Sequence, residues 1–283
     1  RMYTIRANYG VGTVASMFGC RISLTMNNMP WCEPLSETEL LEALDRGVPD
    51  VTTTGLGPRV LETERFYLDT LAKYPNLSKA VRVFICDTQG PFDIAHLVMG
   101  HRIYTEMYDN PDLVHRLLDL VTQTYSRFTQ VQKELIGEGN DWSFHSMAKV
   151  RGGIRICEDA PTNISPSAYL EFCRPYNERV LAEFGGGWIH YCGKGHQILP
   201  HILDTPGVAE EPDATLVALV KPQFEAGRDH VKKGIVRDEA IQVQVCDEIV
   251  ATLKTLGFTV EGPIPSPIEG GDGNREFLVG ARR

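Results

Sequence analysis

The stretch Gly187-Trp188-Ile189-His190-Tyr191-Cys192-Gly193-Lys194-Gly195 joins a short apolar run to a His-x-Cys pair and a glycine turn. Residues i and i+2 of a strand share a face, so the imidazole of His190 and the thiol of Cys192 are predicted to point the same way. Active-site groups of α/β proteins commonly lie at strand ends. The pair therefore predicts half of a zinc site or a reactive pair, and a buried histidine beside a buried free cysteine is the alternative.

The composition is that of an ordinary globular protein, with 42% hydrophobic and 23% charged residues among 283. A net charge of −9 argues against nucleic acid as a bulk electrostatic partner. The seven cysteines show no CxxC spacing, which favours free thiols in a reducing cytoplasm over a disulfide framework. No apolar run approaches the ~20 residues that span a bilayer, so no membrane partner is expected.

Helical and strand-like patterns alternate along most of the chain. Ser36-Glu37-Thr38-Glu39 is a capping box, and Asn110-Pro111 and Ser165-Pro166 each begin a further helix. Strand-like runs, among them Val81–Cys86 and the run near Trp188–Cys192, lie between the helices. This rhythm predicts an α/β fold with parallel strands. No G-x-G-x-x-G follows a strand, so a TIM-barrel-like (β/α)8 arrangement is favoured over an open dinucleotide-binding sheet.

The sequence changes character from residue 215 onward. A strand over Leu216–Val220, a helix over Arg237–Leu256 and strands beginning at Phe258 and Phe277 form a β-α-β-β segment. We expect this segment either to complete the barrel or to pack as an appended Rossmann-like fragment. The predicted organisation is a barrel portion over 1–207, a join over 208–214 and a C-terminal fragment over 215–283.

Polar side chains follow three of the predicted strands. Asp87 and Gln89 lie in the loop after the first, Glu158 and Asp159 follow the second, and His190 ends the third. Paired acids at a strand end can act as general acid and base or hold a cation, whereas solvated turns are the alternative. Three such loops favour one shared site, with the acids and the histidine as candidate catalytic residues.

Three motifs resemble the uroporphyrinogen decarboxylase superfamily. Gln89-Gly90-Pro91-Phe92-Asp93-Ile94-Ala95 is similar to its Gly-Pro-Phe-x-x-Ala motif, and the run from Ile164 to Tyr176 resembles its "SP-x-x-Y-x-x-F-x-x-P-Y" helix. His190-Tyr191-Cys192-Gly193 matches its H-x-C-G motif. The resemblance covers roughly residues 1–207 and implies a (β/α)8 barrel acting on a small molecule, with Gln89, Tyr169 and Tyr191 as candidate substrate-binding residues.

The resemblance implies one of two chemistries. Uroporphyrinogen decarboxylases need no cofactor and hold substrate carboxylates with an N-terminal arginine motif. Arg6 and Arg21 are the candidates here, and neither has the expected context. The other branch, cobamide-dependent methyltransferases, uses zinc bound by His-x-Cys and a later cysteine to activate a thiol. His190 and Cys192 match the first two ligands, so we favour Zn²⁺ as cofactor and a thiol or corrinoid protein as partner. No later cysteine fits as the third ligand, and a homodimer is left open.

The tail resembles another family. Leu219 to Arg228 and Gly273 to Leu278 are similar to the C-terminal third of the TlyA/hemolysin family, S-adenosylmethionine-dependent ribosomal RNA 2′-O-methyltransferases with an FtsJ-like fold. Lys221 and Glu276 match the last lysine and the glutamate of its catalytic Lys-Asp-Lys-Glu tetrad. S-adenosylmethionine and RNA are implied only in this alternative, because nothing before residue 215 resembles its donor-binding loop. The chain thus reads as a hybrid, and an inactive chimeric scaffold is a further alternative.

Overall fold

The computed structural model describes residues 3–23, 29–145, 148–208, 215–231, 234–267 and 273–282. The chain divides into two compact units, Arg1–Ala209 and Glu210–Arg283. Both contain helices and strands, so the predicted α/β class is confirmed.

The first unit combines short strands with longer helices. Its strands are β1 (Tyr3–Ile5), β2 (Arg21–Ser23), β3 (Trp31–Glu33), β4 (Val81–Val83), β5 (Trp142–His145), β6 (Ala148–Arg151), β7 (Ile154–Cys157) and β8 (Gly187–His190). Its helices are α1 (Thr13–Met17), α2 (Glu37–Arg46), α3 (Gly57–Ala72), α4 (Pro75–Ala80), α5 (Pro91–Met99), α6 (Ile103–Asp109), α7 (Pro111–Ile136), α8 (Pro166–Phe172), α9 (Arg174–Glu183) and α10 (Leu199–Leu203).

Local sequence signals set several helix ends. Ser36 and Glu39 form the predicted capping box at the start of α2. The long helix α7 begins at Pro111 and ends before Gly137, which adopts a left-handed φ of 70°. The helix predicted from Ser165 is instead two helices, α8 and α9. Pro175, second in α9, has no N–H to donate to the preceding turn, which explains the break.

The strands of the first unit pair as small separate sheets. The pairs β1–β4 and β7–β8 are parallel, whereas β2–β3 and β5–β6 are antiparallel hairpins. Only two residues separate His145 from Ala148, too few for the crossover that parallel pairing of β5 and β6 requires. No closed barrel is seen over the described ranges, so the (β/α)8 arrangement stays a prediction.

The core of the first unit lies between α5 and its neighbours. Helix α5 packs against α7 and α1, and the turn at Ala160–Asn163 also contacts it. Phe92 and Ile94 of α5 and Leu118 and Tyr125 of α7 are fully buried. Because this packing fixes the N-terminus of α5, it also fixes the loop that precedes the helix.

The second unit contains β9 (Thr215–Val220), α11 (Pro222–Glu225), α12 (Glu239–Thr255), β10 (Thr259–Pro265) and β11 (Phe277–Arg282). Strand β11 lies between β9 and β10 and is antiparallel to both. The predicted β-α-β-β order is therefore present, and α12 packs on this sheet through Val245 and Leu253. Across both units, the described helices include none with the length and apolar character that a membrane span needs.

Candidate functional site

The three polar loops of the first unit are joined by backbone hydrogen bonds. The Gly90 N–H donates to the carbonyl of Cys157 (2.6 Å), and the Glu158 N–H donates to the carbonyl of His190 (2.8 Å). In the parallel register of β7 and β8, Cys157 lies directly opposite His190. The loops that follow β4, β7 and β8 therefore lie side by side.

Gly90 permits the close approach of the first loop to the second. A Cβ atom at this position would lie 2.5 Å from Glu158 Oε1 and 2.9 Å from the Cys157 carbonyl oxygen. These separations are well below van der Waals contact, so a larger residue would push the two loops apart.

Strand alternation sorts the side chains of β7 and β8 onto two faces. Ile154 and Ile156 point into the core and are fully buried. Arg155 and Cys157 lie on the opposite face, with Trp188 and His190 as their register partners. This face carries the polar groups of the candidate site.

A charged cluster surrounds Asp87. Arg6 Nη2 donates to Asp87 Oδ2 at 3.0 Å, and Arg155 Nη2 donates to Asp87 Oδ1 at 2.5 Å. Arg155 is almost completely buried, and its Nη1 lies 3.3 Å from His145 Nε2. Burial and the nearby Arg155 charge lower the pKa of His145 to about 4. His145 is therefore neutral at pH 7, and the cluster holds two guanidinium groups for one carboxylate.

One guanidinium nitrogen of this cluster is left over. Arg6 Nη1 is buried and has no hydrogen-bond partner among the residues that the structure describes. A buried charged donor without a partner is unfavourable unless a ligand or water satisfies it. The cluster thus carries an excess of positive charge and one guanidinium nitrogen that the described residues leave unsatisfied.

A second cluster contains potential metal ligands. The ligand atoms of Cys157, Asp159 and His190 all lie within 4.8 Å of one another. His190 Nε2 is 3.9 Å from Asp159 Oδ1 and 3.3 Å from Cys192 Sγ. Burial raises the pKa of the Cys157 thiol, with a further rise from the Asp159 charge. His190 Nε2 and Cys192 Sγ lie close together, although β8 ends at His190 and Cys192 is in the loop beyond it. The mutually close group is Cys157, Asp159 and His190, and Cys192 lies outside it, so its role as a ligand stays a prediction.

Two buried carboxyl groups, those of Glu158 and Asp93, lie next to this cluster of potential metal ligands. Glu158 Oε1 accepts a hydrogen bond from the Phe92 N–H at 3.3 Å. Asp93 accepts hydrogen bonds from the backbone N–H groups of Asp159 (2.9 Å) and Ala160 (2.8 Å). Burial raises the pKa of Asp93 to about 7. Burial, followed by the Asp93 charge, raises the pKa of Glu158 well above its ordinary value.

The other predicted site residues lie in varied surroundings. Gln89 is buried within the first loop. Tyr169 is completely buried in the core, and this burial raises the pKa of its hydroxyl, with smaller contributions from Cys173 and Glu158. Tyr191 is partly buried against the same core. Their substrate-binding roles stay predictions.

Lys221 and Glu276 of the second unit face each other, with Nζ 3.5 Å from Oε1. Glu276 is largely buried, and Gln223 Nε2 also donates to its Oε1 at 3.4 Å. The two residues that resemble members of one catalytic tetrad are thus neighbours in space.

Sequence reasoning missed several residues of the first unit's site. Arg6 lacks the sequence context of the family's arginine motif, yet it binds Asp87 across 81 residues of sequence. Arg155 could have been predicted from the sequence, because a single charged residue within the apolar run Ile154–Cys157 indicates a buried, paired arginine. The position of Asp93 could not have been predicted in this way, since an acidic residue in the first turn of a helix is common.

The fold and this site define an α/β protein with polar side chains gathered at the ends of neighbouring strands. The model of the uroporphyrinogen decarboxylase (URO-D) family matches residues 6–218, and the chain belongs to that family. A solved structure of a methyltransferase from Methanosarcina mazei has a similar fold, with a TM-score of 0.56 and 20% identity over 72% of this chain and 56% of that chain.

The C-terminal part is similar to a second family. The FtsJ-like methyltransferase model matches residues 188–283. The putative rRNA methyltransferase YqxC of Bacillus subtilis is 49% identical over 69 residues, which are 24% of this chain and 25% of that protein. The 16S/23S rRNA (cytidine-2′-O)-methyltransferase TlyA of Mycobacterium tuberculosis is 35% identical over 71 residues, 25% of this chain and 26% of that protein. The chain thus spans about a quarter of each relative, and the expected resemblance to two families is confirmed.

Proposed function

We propose that the first unit is a URO-D-family enzyme that binds a zinc ion and a small anionic thiol side by side. The observation that carries this proposal is the convergence of Cys157, Asp159 and His190, whose ligand atoms lie within 4.8 Å of one another. The proposal adopts the (β/α)8 arrangement that the family resemblance implies and favours the methyltransferase branch over decarboxylation.

The donor set fits zinc. Thiolate, imidazole and carboxylate are the ligands that Zn²⁺ takes in proteins, and tetrahedral coordination places ligand atoms about 3.5 Å apart. The cluster therefore needs to contract only slightly around an ion. With Cys157, Asp159 and His190 as the three protein ligands, the fourth position stays open for the thiol. Cys192 Sγ, 3.3 Å from His190 Nε2, can replace one of these ligands but does not add to them.

Bound zinc would lower the pKa of a coordinated thiol, so that a thiolate nucleophile exists at neutral pH. The chain's own residues would orient the acceptor. Arg6 and Arg155 bind its anionic end, because the two guanidinium groups exceed the single Asp87 carboxylate. A corrinoid protein would supply the methyl group in this branch.

Metal analysis of purified protein tests the proposal. Wild type should hold about one zinc per chain, and His190→Ala and Cys157→Ala should lose it. Cys246→Ala, which changes a buried cysteine of the second unit, is the matched control and should keep the metal. A wild-type protein that binds no zinc on titration would overturn the proposal.

The anion site has its own test. Calorimetry should show tighter binding of 2-mercaptoethanesulfonate than of neutral 2-mercaptoethanol by the zinc-loaded protein. The Arg6→Gln variant should lose most of this preference. Equal affinities of wild type for both thiols would show that Arg6 and Arg155 do not bind the anionic end of the substrate.

A second candidate function rests on Lys221 and Glu276, whose side chains lie 3.5 Å apart. This proximity is consistent with the resemblance of both residues to members of one catalytic tetrad in RNA methyltransferases. In this alternative the second unit contributes to S-adenosylmethionine-dependent methylation of ribosomal RNA. Calorimetric titration with S-adenosylmethionine tests it, and an absence of heat at millimolar donor would end it. A protein that binds neither zinc nor this donor would be the inactive scaffold.

A further inference from the structure

We propose that Asp93 is a positioning residue, which holds the loop carrying Asp159 in the geometry that a metal ion requires. The inference rests on the proposed metal site, and it assigns a role to a residue that touches no potential ligand atom of that site.

The Asp93 side chain accepts hydrogen bonds from a segment of the chain outside its own helix. It is the third residue of α5, where an acid commonly caps its own helix, yet α5 has no side-chain cap. Both Asp93 oxygens are instead committed to the second loop, Oδ2 to the Asp159 N–H and Oδ1 to the Ala160 N–H. The side chain is almost completely buried, so water cannot easily replace these bonds.

The loop returns a bond to α5. Glu158 Oε1 accepts from the Phe92 N–H, one of the N–H groups that the first turn of a helix leaves unpaired. The side-chain carboxyl oxygens of Asp93 and Glu158 thus link the start of α5 and the loop by hydrogen bonds in both directions. This reciprocal arrangement fixes the loop backbone on both sides of Asp159.

The held loop in turn fixes the ligand cluster. Asp159 Oδ1 accepts from the Cys192 N–H at 2.6 Å and lies 3.9 Å from His190 Nε2. Residues that orient metal ligands typically change metal affinity 10- to 100-fold when they are altered. Asp93 therefore acts on the site through Asp159, without being a ligand.

The experiment compares Asp93→Asn with wild type by hydrogen exchange and by metal titration. Asparagine keeps the size of the side chain but replaces one acceptor with an NH₂ donor, which faces a backbone N–H. Amide exchange in metal-free protein should rise in peptides that contain Asp159, Ala160 and Cys192. Zn²⁺ affinity, measured by competition with a chelator, should fall about 10- to 100-fold.

Leu118→Ala is the control, because it creates a cavity in the core on α7 and destabilises the fold without changing the loop. It should leave both zinc affinity and exchange in the loop peptides near wild type. Unchanged loop exchange and unchanged affinity in Asp93→Asn would overturn the positioning role while wild-type zinc binding stands. Failure of wild type to bind zinc would overturn the proposed metal site and this inference together, and equal losses in Leu118→Ala would reduce Asp93 to a stability effect.

Discussion

Asp159 Oδ1 accepts a hydrogen bond from the Cys192 backbone N–H at 2.6 Å while lying within 3.9 Å of His190 Nε2. One carboxylate therefore orders the loop after β8 and offers a charge to the same site. These two roles can be separated, because an amide oxygen can accept the bond but binds zinc poorly.

We predict that Asp159→Asn keeps the loop ordered and weakens metal binding, whereas Asp159→Ala loses both. Hydrogen exchange of the peptide containing Cys192 should match wild type in the first variant and rise in the second. Zinc affinity should drop at least about tenfold in both. Wild-type affinity in Asp159→Asn would show that the carboxylate orders the loop and is not a ligand.

Gly90→Ala should destabilise the first unit, because its Cβ would lie 2.5 Å from Glu158 Oε1 and 2.9 Å from the Cys157 carbonyl oxygen. Overpacking of this kind costs about 1–3 kcal/mol, measurable as a lower midpoint in urea. Gly139→Ala is the matched control, since nothing lies within 4 Å of a Cβ at that position. Similar midpoints for the two variants would contradict the close approach of the loops.

Glu64 should make the stability of the protein depend on pH. Its side chain is fully buried, and its carboxyl oxygens have no hydrogen-bond partner within the described part of the chain. Burial raises its pKa from 4.5 to about 8. The folded state then binds this proton more tightly than the unfolded state, so the free energy of unfolding falls as pH rises from 4.5 to 8 and levels off above that range.

The Glu64→Gln variant should lose this contribution, which amounts to at most about 1.4 kcal/mol per pH unit. Urea denaturation at a series of pH values measures it. Glu62→Gln, at an exposed position of the same helix, should retain the wild-type pH profile. Parallel profiles for wild type and Glu64→Gln would show that Glu64 does not titrate in this range.

Lys133 and Glu138 form a buried ion pair, with Nζ 2.8 Å from Oε1 and side chains 5% and 7% exposed. Lys133 also donates to the Gly153 carbonyl just before β7. Removing one partner of such a pair leaves an uncompensated buried charge and costs about 3–5 kcal/mol. Lys133→Met should therefore destabilise the first unit strongly.

Adding Glu138→Gln to Lys133→Met should recover part of this loss, because the remaining buried charge is removed. Chemical denaturation of the two single variants and the double variant gives the coupling energy. Strictly additive losses would mean that the two charges do not interact.

The sequence predicted the elements better than their assembly. The capping box at Ser36 and the proline at the start of α7 are local signals, and both helices formed where these signals stand. The break at Pro175 and the β5–β6 hairpin were missed, although the sequence held a signal for each. A closed barrel depends on long-range pairing, which local patterns do not determine.

For the candidate site too, contacts between neighbouring strand ends could be predicted, whereas contacts between distant residues could not. The proximity of the second loop to His190 was expected, because the ends of parallel strands meet at one edge. The contact of His190 with Cys192 does not arise from the predicted strand spacing, because β8 ends at His190 and the following loop brings the thiol back. The Arg6–Asp87 contact joins residues far apart in sequence. Since the charge of an isolated arginine says nothing about its distant partner, only the folded chain could reveal it.

The pairing of Cys157 with His190 has a consequence for how this site tolerates change. Both faces of β7 are buried, and its residues alternate between aliphatic and polar. A shift of the β7 register by one residue would place Ile156 opposite His190 and point Arg155 into the hydrophobic core. The Cys157 thiol would then be too far from the His190 imidazole to share a metal ion. An insertion or deletion of one residue between Gly153 and Cys157 should therefore abolish metal capture even where every ligand residue is retained.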